Sequence, residues 1–345
     1  MVLSILSQRY VVKTTDGLSL AMTRKNGTKA NGSAPILMVH GAGVRSQIFN
    51  PPRAKGLNLD DALVQAGFDV WNFDWRASID QAPNQWTLDR AAVYDYPAAV
   101  AKIVEVVGAT EIKAMVHCQG STSFMMSLVA GLLPEVSTVV SNAVSLHPVV
   151  PSLARLKALY AVPSLGRFFP YLNPQWGISA PSGWPKIFDF YVRAMHHECN
   201  NPVCKWSSFT FGSGFPTLWR HENLDDATHD WLSAEFAHVP MSFFRQIGKS
   251  IKAGHLVMTG EFESLNTSVI AASPKTDARV VLLAGEKNVC FYPESQMRSY
   301  DYLESFAPGR HSYHELPGYG HLDVFIGKHS ATDIFPLIID EFSRG

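Results

Sequence analysis

Hydrophobic and polar positions along the chain predict strands alternating with helices. The run Ile36-Leu37-Met38-Val39 is apolar throughout, and strands with apolar cores are expected at 68–73, 112–116, 139–146 and 279–284, with a last one at 313–316. Helical periods separate them at 59–66, stopped by Gly67, and at 97–107 and 124–133. A closing amphipathic helix is expected at 331–342. Residues 9–14 and 18–24 read as a strand pair around Thr15-Asp16-Gly17, and 25–33 as a Gly- and Asn-rich surface loop. Strands with apolar cores interleaved with helices predict an α/β fold with a mainly parallel central sheet flanked by helices on both faces.

The rhythm changes after residue 150. From 151 to about 260 the chain is rich in aromatic residues and Pro and has few clean strand patterns. Apolar helices are expected at 153–162, stopped by Pro163, at 188–195, and at 234–247, broken or kinked at Pro240. This predicts a core made of 1–150 and 261–345 with a large helical cap inserted at 151–260. The insertion could be a plain structural subdomain, but its many aromatic side chains suit the walls of an apolar ligand pocket.

Composition narrows the function. The 345 residues are 46% hydrophobic, ample for a large core, and the formal net charge of −1 gives no electrostatic case for nucleic acid or an anionic membrane surface. No apolar run approaches the roughly 20 residues that span a bilayer. The apolar patch at 2–6 has no basic lead-in and reads as no signal peptide, so a cytoplasmic protein is expected unless a targeting segment preceded this numbering. Four Cys are too few for a disulfide scaffold of this size. No oligomeric state can be read.

Candidate chemistry centres on Met115-Val116-His117-Cys118-Gln119-Gly120-Ser121. A buried strand, a tight turn and a helix with a nucleophile at the apex make a nucleophile elbow, usually G-x-S-x-G. Here Cys118 takes the apex, Gly120 allows helix and strand to approach, and Val116 replaces the first glycine. A buried, inert thiol is the alternative. Other motifs flank it in order: His40-Gly41-Ala42-Gly43 after the third strand, Tyr94-Asp95-Tyr96-Pro97-Ala98 leading into a helix, and Tyr319-Gly320-His321-Leu322-Asp323 near the end.

Together these motifs resemble the α/β-hydrolase superfamily, and within it the acid lipases, over about 10–150 and 270–345. The His-Cys-Gln-Gly-Ser run also bears a fainter resemblance to the hydrolase-type domain appended to sterol-oxidase-like (GMC-type) flavoproteins. The resemblance implies acyl transfer: Cys118 attacks, His321 takes its proton, and the amides of Gln119 and Ala42, with Gly43 as fallback, hold the oxyanion. The dipole of the following helix would favour a thiolate. His40 is expected to shape its loop, and His117 to point away from the nucleophile. Relatives carry an aspartate after the penultimate strand, where Gly285-Glu286-Lys287-Asn288 puts Asn288 here. Either the triad is broken, or a thiol that ionises easily is content with a neutral carbonyl orienting the imidazole, as in Cys-His-Asn proteases. Glu286 and Asp323 are held in reserve for the acid.

The expected substrate is an apolar ester, thioester or lactone, with water or another nucleophile as acceptor. A non-catalytic binder of hydrophobic small molecules is the rival. No cofactor and no metal are expected. Cys199 and Cys204, beside His196, His197 and Glu198, have Cys-x4-Cys spacing but no second ligand pair, which favours a disulfide or two free thiols over zinc. Cys290 is expected to pack near the site without a role.

Overall fold

The computed structural model describes residues 6–27, 32–53 and 56–344. The loop at 25–33 is therefore described only in part, and most of the apolar patch at 2–6 lies outside the described residues. Eight strands form one sheet: β1 (Leu6–Lys13), β2 (Ser19–Asn26), β3 (Ile36–Val39), β4 (Val70–Asp74), β5 (Ile112–His117), β6 (Val136–Asn142), β9 (Arg279–Gly285) and β10 (Ser312–Leu316). Their spatial order is β1-β2-β4-β3-β5-β6-β9-β10. The first two pairings are antiparallel and the rest parallel.

Side-chain alternation explains why the central strands are apolar on both faces. Leu37, Val39, Ala114, Val116, Val139, Val280 and Leu282 enter one buried cluster, and Ile36, Met38, Met115, Val140, Val281 and Leu283 enter the other. Helices α1 (Leu59–Gln65), α2 (Tyr96–Val107), α3 (Cys118–Val129), α4 (Trp184–Met195), α5 (Pro202–Phe211), α6 (Met241–Ala253), α7 (Pro293–Phe306) and α8 (Phe335–Ser343) complete the main framework. None of the described helices is long and apolar enough to cross a membrane.

Several boundaries differ from the sequence reading, for local reasons. The sixth strand starts earlier than expected and stops at Asn142, because Ala143 adopts φ 58 and turns the chain out of the sheet. Pro163 does not stop its helix. Residues 152–165 stay helical through a π-turn at Lys157–Ala161, and Pro163 enters the following turn near its first position, where a missing N–H is tolerated. Pro240 does not kink a long helix either. It ends the two-residue strand β8 (Val239–Pro240), paired with β7 (Tyr171–Leu172), and α6 begins after it. The closing helix is divided at Ile334, with a short turn Ser330–Asp333 before α8.

One buried ion pair ties the edge of the core together. Arg76 and Asp95 have almost no exposure. Asp95 accepts from Arg76 Nε at 2.9 Å and from the Arg76 backbone amide at 3.0 Å, while the same guanidinium reaches Asp16 at 3.0 Å. Removing Asp95 leaves the buried guanidinium with only the partly exposed Asp16. Asp95→Ala is therefore expected to cost about 3 kcal/mol or more, read as a lower urea midpoint at unchanged slope. A midpoint within error of the parent would show that Asp16 alone satisfies Arg76.

Candidate active site

Strand β5 delivers the chain to Cys118 in the left-handed region, φ 56, and α3 starts at that residue. Only a close approach accommodates this turn. A Cβ on Gly120 would lie 2.0 Å from the His40 carbonyl oxygen, and one on Gly41 would lie 3.0 Å from Cys118 Cβ. The loop after β3 therefore lies directly on the elbow. His40 shapes it as expected: buried, with Nδ1 2.6 Å from the Gly41 carbonyl and its own carbonyl accepting from Trp75 Nε1 at 2.9 Å.

The backbone amides of Gln119 and Ala42 both bear on the Cys118 sulfur, the two amides expected to form an oxyanion site. Burial outweighs them and pushes the thiol up to about 12. Burial likewise holds His321 down, to about 3. The resting pair is therefore neutral thiol and neutral imidazole, and the expected resting thiolate is not formed here. The helix dipole and two amides do not offset the loss of hydration at a sulfur with 6% exposure.

The structure brings Cys118, His321 and also His117 together, with one ligand atom of each within 4.8 Å of the others. His117 does not point away as expected. Its ring centroid is 4.8 Å from that of His321. Strand alternation would send residues 117 and 118 to opposite faces, and the left-handed turn at Cys118 breaks that alternation. Asn142 Nδ2 fixes the pair, donating to the His321 carbonyl at 3.1 Å and lying 2.9 Å from His117 Nδ1.

Asn288 is buried in the turn after β9, which docks on the His321 loop through Lys287 N–H to the Tyr319 carbonyl, 2.8 Å. Its side-chain carbonyl accepts from the amides of Cys290 and Phe291, at 2.9 and 3.3 Å. Among the described residues, Asn288 Nδ2 and both ring nitrogens of His321 have no hydrogen-bond partner. Asp323 is occupied elsewhere: it accepts from Gly320 N–H at 2.9 Å and Asn223 Nδ2 at 2.6 Å, and burial raises it to about 6. Glu286 faces outward, paired with Lys287 at 2.8 Å.

Over Cys118 lies a cavity of about 70 Å³ walled by Phe209, Phe211, Phe243, Phe244, Ile247 and other apolar side chains of the insertion. Sequence reasoning missed its one cation. Lys157, in the helical stretch 152–165, lines the cavity, donates to the carbonyls of Phe209 and Gly212, and sits 4.9 Å over the Phe209 ring. Burial lowers it to about 8. The only signal in the sequence was a Lys inside an apolar helical period. Cys290 lines the same cavity, its thiol 3.4 Å from the Phe211 carbonyl.

The mainly parallel eight-stranded sheet with its flanking helices is an α/β-hydrolase fold. No family model matches the chain. Over part of its length it is similar to Lipase lipl-3 of Caenorhabditis elegans, 30% identical over 138 residues, and to the gastric triacylglycerol lipase of Rattus norvegicus, 32% over 133. These matches cover 34% and 33% of this chain and 33% of each relative, so only about a third of the curated relatives' length is matched. A solved Paleococcus ferrophilus monoacylglycerol lipase shares the fold at 15% identity and TM-score 0.54, covering 99% of this chain and 100% of that one.

The neutral resting pair makes a pH prediction. Alkylation of Cys118 by iodoacetamide should be slow at neutral pH and climb about tenfold per pH unit into the alkaline range, since only the thiolate reacts and its fraction rises with pH below the thiol's pKa. His321→Ala should leave that profile unshifted. A fast plateau below pH 7 that disappears in His321→Ala would contradict the neutral pair.

Proposed function

We propose that this chain is an acyl-transfer enzyme that carries the acyl group of an apolar ester, thioester or lactone on Cys118 and passes it to water or another nucleophile. The observation that carries the reading is the convergence at one buried point of a strained nucleophile, two amides and an imidazole, under an apolar cavity. Similarity to lipases over a third of the chain supports ester substrates. Segment 151–260 is proposed as the cap, over a core of 1–150 and 261–345.

The chemistry follows from the groups present. Cys118 sulfur attacks the acyl carbon as its proton passes to His321, so charge forms only during attack. The oxyanion settles on the amides of Ala42 and Gln119. Collapse expels the leaving oxygen or sulfur, which takes the proton back from the imidazole and leaves a thioester. A water or other acceptor then gives its proton to His321 as it attacks the thioester, and the departing Cys118 sulfur takes that proton back from His321 to restore the neutral thiol. The cavity over Cys118 is walled almost entirely by apolar side chains, which suits an apolar acyl group. Exposed Phe168, Trp184, Ile187 and Phe190 on the cap suit an apolar substrate surface.

Asn288 is the proposed orienting residue. For His321 to accept a proton at one nitrogen, the other must carry one and donate it. Asn288 can accept it only by turning its carbonyl from the amides of Cys290 and Phe291. An aspartate at 288 would keep one oxygen on those amides and put the second in place of Nδ2. Asn288→Asp should accordingly change the parent rate by less than about tenfold, roughly 1.4 kcal/mol, yet recover a larger factor in a Cys118→Ser background, which lacks an easily ionised nucleophile. Cys118→Ala should abolish turnover with the fold intact. Purely additive effects of the 118 and 288 changes would remove Asn288 from the site, and full activity in Cys118→Ala would leave a ligand-binding protein or a different nucleophile.

A further inference from the structure

The insertion contains a second cluster, remote in chemistry from the elbow. Cys199 precedes α5, Cys204 lies in its first turn, His221 opens a short 3-10 turn, and His229 sits in the following helical turn Asp226–Trp231. One ligand atom from each of the four lies within 4.8 Å of the others. Cys199 sulfur is 3.8 Å from His229 Nε2, Cys204 sulfur is 3.5 Å from His221 Nε2, and the two Nε2 atoms are 3.2 Å apart.

Those three separations are close to the edges of a tetrahedral metal site. With Zn–S near 2.3 Å and Zn–N near 2.0–2.1 Å, a regular tetrahedron has S···N edges of about 3.5 Å and an N···N edge of about 3.3 Å. Both imidazoles present the same nitrogen to the centre, and the two sulfurs close the figure. The sequence reading lacked the second ligand pair because His221 and His229 are supplied by a separate turn. His196, beside Cys199 in the chain, is instead paired with Glu198 at 3.2 Å. Asn201 locks the two halves: its side-chain Oδ1 caps α5 by accepting from the Val203 and Cys204 amides, and its Nδ2 donates to the His229 carbonyl at 3.2 Å and to Ser233 Oγ at 2.8 Å.

We propose that Cys199, Cys204, His221 and His229 form a structural zinc site in the insertion. Four protein ligands close the coordination sphere, so the ion has no open position and holds structure rather than catalysing. A d10 ion with two thiolates and two imidazoles fits Zn(II) by ligand softness and geometry. Binding displaces the two thiol protons to solvent and leaves both sulfurs as thiolates on the metal. Three of the four ligands are partly exposed, which gives the ion a way in. The site also braces the catalytic loop: two residues beyond His221, Asn223 holds Asp323, whose other oxygen takes the amide next to His321.

The test is metal content of the full chain, grown with added zinc and purified under reducing conditions. One zinc ion per chain is expected, absent from Cys199→Ser and His229→Gln, with a lower Tm after chelation. Reduced, metal-free parent should take up Co(II) with the intense visible bands and thiolate charge transfer of a tetrahedral sulfur site, which keeps the proposal testable if the variants fail to fold. Reduced parent that binds neither Zn(II) nor Co(II), or protein carrying a Cys199–Cys204 disulfide under the same conditions (the mass of two hydrogens lower), would overturn it.

Discussion

The closeness of α3 to the loop after β3 governs the rest of this molecule. An ideal Cβ on Gly120 would lie 2.0 Å from the His40 carbonyl oxygen, so only glycine lets the helix approach this closely just after Cys118 at φ 56. Around this contact the Ala42 and Gln119 amides bear on the sulfur, and His117 lies beside His321. A second close approach fixes the other half: a Cβ on Gly285 would lie 1.9 Å from the Gly320 carbonyl, so the Asn288 turn and the His321 loop are packed backbone to backbone. The site is assembled by glycine contacts between loops at the carboxyl ends of parallel strands, where open α/β sheets bind ligands.

Burial then decides the electrostatics. A thiol up near 12 and an imidazole down near 3 share no proton at rest, so in the proposed reaction charge moves only when a carbonyl is present to receive it. The insertion covers the elbow with aromatic side chains, and it places one partly buried lysine, Lys157, among them. Lys157 is satisfied by two backbone carbonyls and a ring face, which explains how a cation is tolerated in that wall.

The sheet was legible because parallel strands buried on both faces are apolar in sequence, and the order of Cys118, Asn288 and His321 could be read from motif positions. What sequence could not show was set by single backbone departures and by distance along the chain. Ala143 ends a strand by a positive φ that its residue type does not announce. Pro163 and Pro240 were read as helix breakers, but one enters a helical turn and the other finishes a strand. The His117 side chain could not be placed without the conformation of Cys118. The Asn288 carbonyl was expected to face an imidazole, whereas local backbone amides claim it. His221 and His229 join Cys199 and Cys204 only through folding, since no spacing rule links them.

The central claim is covalent: an acyl group rests on Cys118. Intact mass after brief incubation with an activated apolar ester, followed by peptide mapping, tests it most directly. The account predicts a mass increase equal to one acyl group, located on the peptide carrying Cys118, absent in Cys118→Ala and persistent in His321→Ala only at a much slower rate of formation. Turnover with no adduct on Cys118, or the same adduct on another residue in Cys118→Ala, would contradict it.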